Sequence, residues 1–321
     1  MIIVPEKEIA SLMTRADAYA AVEKVFASMA SRTAYNFPVI REAIGHADAL
    51  YGFKSGFDRA ALNLGLKSGG YWPGNMARGL TNHQSTIFLF DADTGQCRAI
   101  VGGNLLTALR TAAAAAVSVA HLSRQSSEVL GIVGAGHQAS FQLRAVAEQR
   151  NFKKVVAWNR TASKLDTLAG VAEEIGLAFE VVSLEDLGRQ ADVIVTITSS
   201  FDPILLESHV RPGAHLACMG TDTKGKQEVE AGLVARASCF TDENAQSVSI
   251  GECQHAVAAG LIQSTAIAEL GAVINGENPG RTDADQITLF DGTGVGLQDL
   301  AVASSAVDLA VSSGVALDVD F

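Results

Sequence analysis

The chain has 321 residues, 48% apolar and 18% charged, with a net charge of −11. Its length exceeds the usual single core and predicts two domains, while the apolar share predicts a globular protein with a large interior. The acidic balance and the lack of a basic run argue against a nucleic-acid partner, but leave room for a local basic pocket holding a small anion.

Residues 8–31 carry apolar side chains at helical spacing from Ile9 to Met29 and predict one helix. Glu6, Lys7, Glu8, Arg15 and Asp17 charge the first twenty residues, which do not read as a signal peptide. Between 36 and 100, strand-like pieces at 36–40, 49–53, 63–67, 85–90 and 97–101 alternate with turn signals such as "SGGYWPGN" and "DADTG". That rhythm predicts an antiparallel sheet or barrel-like module. A helix is expected over 104–122. Its alanine-rich run, 112–120, is too short to span a bilayer and reads as a tightly packed helix, so no membrane partner is expected.

From about residue 127 the pattern changes to strand–helix alternation. Strands are expected at 129–133, 154–158, 179–182, 193–196, 215–219 and 239–241, with helices between them, which predicts a parallel, doubly wound sheet. A further strand at 287–290 leads into "DGTGVG" and a final helix near 297–311. The expected fold class is therefore α/β. The four cysteines, Cys97, Cys218, Cys239 and Cys253, show neither C-x-x-C nor zinc-type spacing and read as free thiols in a reducing compartment, the cytoplasm. No metal site is expected.

"GIVGAGHQAS" contains Gly134, Gly136, His137, Gln138 and Ala139 in the G-x-G-x-x-A form of the dinucleotide fingerprint. Gly134 allows the tight turn, Gly136 lets backbone approach a pyrophosphate, and Ala139 permits close strand–helix packing. N–H groups at the helix start then face the phosphates. The next strand ends in Asn159 and Arg160. An acid there would bind both ribose hydroxyls and repel a 2′-phosphate. Asn159 bonds a hydroxyl without that repulsion, and Arg160 suits a 2′-phosphate or stacks on adenine, unless it is simply a solvated surface residue. Read locally, the turn admits NADP(H) and does not forbid NAD(H).

Four features before and after this turn carry chemistry. Arg110 and Thr111 sit in a helix otherwise built of small residues. Lys67 ends a strand beside glycines, Arg41 ends another in "FPVIRE", and Asp222 and Lys226 follow the strand in "HLACMGTDTKGKQE". Strand ends are where doubly wound folds bind ligands, so Asp222 is placed for proton transfer. Each residue type also occurs as a plain surface, cap or turn residue, and taken singly both readings stand. Together Arg41, Lys67 and Arg110 make a cationic pocket in an acidic protein, suited to a carboxylate; one charge-assisted hydrogen bond contributes about 1.5–3 kcal/mol. His46, His83 and His215 are alternative acid–base groups, each more often structural.

"LLTALRTAAAAAVSVAHL", "GIVGAGHQA", "GTDTKGKQE" and "LFDGTGVGLQDLA", in that order and spacing, resemble the ornithine cyclodeaminase/μ-crystallin family over nearly the whole chain. The resemblance implies a homodimer with a Rossmann-type doubly wound parallel sheet. It also implies an N-terminal α/β substrate and dimerisation domain completed by the C-terminal helix. The boundaries expected are 1–125, 126–292 and 293–321. Carried over, the carboxylate-binding cations fall on Arg41, Lys67 and Arg110, and the catalytic aspartate on Asp222, with Lys67 beside it in catalysis. Cofactor contacts fall on Asn82, Arg110, Thr111, Gly134, Gly136, His137, Gln138, Asn159, Arg160, Thr198, Met219, Lys226 and Thr293, with Gly294 on the substrate side.

One departure is informative. Cyclodeaminases of the family keep an acid thirteen positions before the site lysine, where it holds the substrate's side-chain amine; here that position is Lys54. A cation there repels ornithine or lysine and attracts a second carboxylate. The expected substrate is thus a small dicarboxylic imino or keto acid. Within the family the pattern is most like the branch that reduces iminosuccinate to L-aspartate, which tilts the cofactor toward NAD(H). Reduction of ketimines such as pyrroline-2-carboxylate, alanine-type dehydrogenation, cyclodeamination and NADP binding without turnover are the alternatives.

Overall fold

The computed structural model describes residues 1–320. It forms two compact units: Met1–Arg110 together with the residues from 295 onward, and Thr111–Gly294.

The first unit opens with strand β1 (Ile2–Val4) and helices α1 (Glu6–Leu12) and α2 (Arg15–Ala30). The single helix expected over 8–31 is therefore two. Met13 is extended (φ −102°, ψ 117°). Thr14 then starts a new N-terminus. Its Oγ1 accepts from Asp17 N (3.1 Å) while Asp17 Oδ2 accepts from Thr14 N (3.0 Å), a reciprocal cap.

Strands β2 (Ala34–Asn36), β3 (Ile40–Ala43), β4 (Leu50–Asp58), β5 (Asn63–Tyr71), β6 (His83–Phe90) and β7 (Cys97–Gly102) follow. The strand expected at 36–40 is interrupted between β2 and β3, where Pro38 has no N–H to give a ladder. The "SGGY" expected as a turn instead prolongs β5. A Cβ on Gly70 would lie 1.9 Å from Leu50 O, and one on Gly69 2.3 Å from Gln84 O, so only glycine fits between these strands. The sheet is antiparallel from β2 to β7, and β1 adds to β7 in parallel. Paired residues share a face. One face carries Ile87, Leu89, Ala99 and Val101, all fully buried.

Helix α3 (Asn104–Leu122) begins where Glu6 accepts from Asn104 N (3.0 Å) and Leu105 N (2.8 Å). By length and composition it could cross a membrane, but 78% of its apolar window is buried inside the protein. The division between the units falls within α3, after Arg110, whereas the expected boundary lay beyond its end.

The second unit runs β8 (Val129–Val133), α4 (Ala139–Ala147), β9 (Lys154–Trp158), α5 (Asp166–Glu174), β10 (Ala178–Val181), α6 (Leu184–Gln190), β11 (Val193–Thr196) and β12 (His215–Cys218). It continues with α7 (Ala231–Arg236), β13 (Ser238–Thr241), α8 (Asn244–Ser247), α9 (Gln254–Ala258), β14 (Ala268–Glu269), α10 (Leu270–Ile274) and β15 (Thr288–Asp291). All eight strands are parallel, in the order β10-β9-β8-β11-β12-β15-β13-β14. This is the Rossmann-type doubly wound sheet the alternation predicts. The order reverses between β8 and β11, so the carboxyl ends of those strands form the switch-point crevice where such folds bind ligands.

The chain then returns to the first unit as α11 (Gly296–Ser313) and β16 (Leu317–Asp318), which pairs with β1. Helix α11 lies directly on β4 and β5 because the paired residues beneath it are Gly56 and Gly65. A Cβ on Gly56 would meet Leu297 Cγ at 3.0 Å, and one on Gly65 would meet Leu300 Cδ2 at 2.9 Å. That close seat brings the start of α11 onto the cations of the sheet.

Candidate active site

The first unit gathers its cations around an acid. Lys67 Nζ lies 2.8 Å from Asp299 Oδ2, and Arg110 Nε donates to Asp299 Oδ1 at 3.0 Å. Arg110 Nη1 also donates to Gln298 Oε1 (3.0 Å), and Lys67 Nζ lies 3.5 Å from Thr107 Oγ1. Lys67, Arg110 and Asp299 are 6%, 7% and 0% exposed. Burial pulls the Lys67 ammonium down to about 7; Asp299 opposes this, and Arg110 and Lys54 add to it. Burial pushes the Asp299 carboxyl up, but Arg110 and Lys67 outweigh it and hold it below its ordinary value. Two of the three expected cations, Lys67 and Arg110, thus share a buried counter-charge.

Lys54 stands directly opposite Lys67 in the β4–β5 ladder, so both side chains leave the same face. Arg41 pairs with Gly52, two residues before Lys54, and joins that face from the exposed strand β3. Asn82 lies in the loop before β6, where its side chain bonds Met76 N and the Tyr71 hydroxyl (both 3.1 Å). His83 is pulled down to about 3 by burial and by Lys67 and Arg110, which leaves it neutral and unsuited to donate a proton. His46 is exposed.

In the second unit, the expected cofactor residues line the carboxyl ends of adjacent parallel strands. Gly134 follows β8 with φ +112°, and a Cβ there would meet Ile197 O at 2.6 Å. Gly136 is exposed, and a Cβ there would meet nothing within 4 Å, which leaves open space over its backbone. His137 is exposed beside it, Gln138 precedes α4, and Ala139 is buried against the sheet. Trp158 O accepts from Gly134 N (2.9 Å), which sets Asn159 and Arg160, at the end of β9, next to this turn. Asn159 donates to Thr161 O (2.8 Å), and Arg160 is exposed. Thr198 follows β11, Met219 follows β12, and Thr293 and Gly294 follow β15, held by Asp242, which accepts from Thr293 Oγ1 (2.6 Å) and Gly294 N (2.8 Å). Thr111 is buried on α3.

Asp222, beyond β12, is half-buried and its Oδ1 lies 2.8 Å from Lys226 Nζ. His215 is not an acid–base group: it is fully buried, bonded to Ser118 Oγ (3.2 Å) and Thr288 Oγ1 (2.9 Å), and held well below its ordinary pKa by burial. It ties α3 to the sheet.

Sequence reasoning missed Asp299 and Gln298. Both lie in "GLQDLA", a polar pair inside an otherwise apolar helix start, and that contrast was the available signal. It also missed Glu228 and Glu252, which are fully buried. The four cysteines are free, and among the described residues no group of metal-ligating side chains forms.

A doubly wound parallel sheet with a glycine turn at its switch point defines a dinucleotide-binding protein of the Rossmann class. The model of the ornithine cyclodeaminase/mu-crystallin family matches residues 2–314, and the chain belongs to that family. The iminosuccinate reductase of Paracoccus denitrificans (strain Pd 1222) is 63% identical over 320 residues, 100% of each chain. The crystal structure of that reductase in complex with NAD+ superposes with a TM-score of 0.97, covering 100% of this chain and 99% of that one. An archaeal alanine dehydrogenase dimer with bound NAD is 30% identical, with a TM-score of 0.93 over 100% of this chain and 99% of that one. The ketimine reductase mu-crystallin of Mus musculus is 32% identical over 238 residues, 74% of this chain and 73% of that protein.

Proposed function

We propose that the chain is an NADH-dependent imine reductase that converts iminosuccinate to L-aspartate. The observation that carries this reading is the cross-strand pair Lys54–Lys67, a second cation on the face that already holds the carboxylate-binding lysine. A cation there attracts a second carboxylate, and a diamino acid is repelled by it. Full-length identity of 63% to an iminosuccinate reductase supports the same substrate.

In the reaction the imine carbon gains a hydride, its nitrogen gains a proton, and C=N becomes a single bond. The reduced dinucleotide supplies the hydride when bound. The open cradle at Gly136 fits it. Gly134, Gly136, His137 and Gln138 would hold the pyrophosphate; Asn159 and Arg160 would hold the adenosine ribose. Thr198, Met219, Lys226 and Thr293, with Asn82, Arg110 and Thr111, would complete the contacts. Asn159 permits either dinucleotide, and the NAD+ complex of the similar reductase favours NADH.

Lys67 and Arg110 bind the carboxylate next to the imine carbon, and Gly294 belongs to the substrate side. Lys54 and Arg41 bind the distal one. These contacts fix the reacting face and remove the rotational freedom that otherwise opposes transfer. Asp222, in contact with Lys226, takes up a proton from solvent and passes it to nitrogen, directly or through a water.

The working unit is a homodimer. The face of the first sheet opposite the cations carries Tyr35, Ile40, Phe53 and Leu66, and Tyr35, Ile40 and Phe53 are 44%, 53% and 37% exposed. An apolar face of this kind is usual at subunit contacts, and the similar alanine dehydrogenase is a dimer. Four free thiols suit a reducing compartment, the cytoplasm.

Mixing the protein with NADH, oxaloacetate and ammonium tests the reading. NADH loss should match L-aspartate formation one for one. Turnover with pyruvate plus ammonium alone would favour an alanine-type dehydrogenase, and ammonia release from ornithine without net NADH loss would favour a cyclodeaminase.

A further inference from the structure

We infer that Glu228 is a positioning residue for this reaction: its buried carboxylate, seated on the backbone of Thr198 and Gly220, fixes the loop that presents Asp222. The inference rests on the proton-delivery role proposed for Asp222.

Glu228 is 0% exposed. Its Oε1 accepts from Thr198 N (2.6 Å), and its Oε2 accepts from Thr196 Oγ1 (2.7 Å) and Gly220 N (2.9 Å). These donors stand at the carboxyl ends of β11 and β12, neighbours in the parallel sheet. One side chain therefore ties together the two strand-end loops that carry Thr198 and Asp222. There is no slack in the joint: a Cβ on Gly220 would lie 2.3 Å from Thr198 O and 2.5 Å from Glu228 Oε1.

A second buried carboxyl completes the grip. Glu252 Oε1 accepts from Glu228 N (2.9 Å) and Val229 N (2.7 Å), while Glu252 Oε2 bonds Thr221 Oγ1 (2.5 Å). Gly220 and Thr221, the two residues before Asp222, are thus each held by one carboxyl. On the far side, Gln254 Oε1 accepts from Gly225 N (2.8 Å), and His255 Nε2 sits 3.0 Å from Lys226 O. The loop is clamped at both ends, and Asp222 projects between the clamps.

The two carboxyls are not equivalent. Both Glu228 oxygens face N–H groups of fixed backbone, so a glutamine there must turn its NH2 against Thr198 N–H or Gly220 N–H, whichever way it flips. Glu252 takes its two short N–H bonds, from Glu228 N and Val229 N, on Oε1; Oε2 bonds the hydroxyl of Thr221 and has only a longer second approach from Glu228 N (3.2 Å). A glutamine can keep oxygen in the first place and donate from the second to Thr221 Oγ1. Burial and the charge of Glu228 raise Glu252 to about 8, so it already carries a proton near neutrality.

The experiment compares Glu228→Gln with Glu252→Gln, with Asp222→Asn as the control. Glu228→Gln should lower kcat at least about tenfold, since displacement of a reacting group by an ångström or less costs up to about a hundredfold. The KM for the imino acid should change less than about threefold. The limb of the kcat–pH profile that belongs to Asp222 should move, because the carboxylate's surroundings change. Glu252→Gln should keep kcat within about twofold and leave the profile in place. A folded Glu228→Gln enzyme with unchanged kcat and pH profile overturns the inference, as does a Glu252→Gln enzyme equally impaired. If Glu228→Gln does not fold, Glu228→Asp takes its place, with the same split between kcat and KM expected and an unchanged kcat again fatal. Asp222→Asn separates the two levels: full activity there removes the role of Asp222 itself, whereas loss of activity there beside an unaffected Glu228 variant removes only the positioning role.

Discussion

Replacing Asp299 by asparagine tests how the substrate cations are held. The carboxylate is fully buried, 2.8 Å from Lys67 Nζ and 3.0 Å from Arg110 Nε, and its charge opposes the burial that pulls Lys67 down to about 7. Asp299→Asn leaves two buried cations without their counter-charge, a loss worth about 3–5 kcal/mol of stability when one partner of a buried pair is removed. It also lets Lys67 fall further, so that near neutrality the amine is uncharged. The substrate carboxylate then loses a charge-assisted bond of about 1.5–3 kcal/mol, which is roughly tenfold to a hundredfold in affinity. Succinate inhibition measured against pH is the assay, because succinate carries both charges across the neutral range and needs no ammonia. A lysine binds carboxylate below its pKa, so in the native enzyme affinity should weaken as pH rises through about 7. In Asp299→Asn the same weakening should come at lower pH. An inhibition profile that keeps its midpoint after the substitution would refute the reasoning, since Asp299 would then not govern the charge of Lys67.

Three further outcomes are expected. Lys54→Glu should lower kcat/KM for iminosuccinate at least about a hundredfold, by losing one charge-assisted bond and adding a repulsion. Rates with a monocarboxylic imine should stay within about threefold; equal losses on both would remove Lys54 from the distal carboxylate. The raised carboxyl of Glu252 keeps its proton in the folded state up to about 8, whereas the unfolded chain releases it near the ordinary glutamate range. Its contribution is therefore fully present at acid pH and declines as pH rises through that window. Glu252→Gln has no proton to lose, so its melting temperature should gain on the native protein between pH ~5 and ~8; a constant difference would show that Glu252 does not titrate there. Phe53→Glu, on the outer face of the first sheet, should shift the protein from dimer to monomer in sedimentation, and an unchanged mass would move the subunit contact elsewhere.

The parts of this protein written in local pattern are those the sequence shows. The β-α alternation from β8 to β13, the glycine turn and the acid-free end of β9 need only neighbours in the chain and lie where local pattern predicts them, whereas the two-residue strand β14 was not expected. Lys54 was legible only by comparison with relatives; its place opposite Lys67 is a matter of register, set by the whole β4–β5 ladder. Asp299 was not legible because its partners are 189 and 232 residues away in sequence (299 − 110 and 299 − 67), brought near by a helix seated on Gly56 and Gly65. Nothing near those glycines announces a helix from the far end of the chain. The break at Met13 was hidden for the opposite reason. A short-range cap, Thr14 with Asp17, overrode an apolar spacing that continues across it. Glu228 and Glu252 were not singled out in the sequence, and their burial and backbone partners show them to be interior.

A crystal of the protein with NAD+ and L-aspartate is the most direct measurement. The account predicts the α-carboxylate on Lys67 and Arg110 and the β-carboxylate within hydrogen-bond reach of Lys54. An aspartate whose β-carboxylate faces water, with Lys54 turned elsewhere, would contradict it.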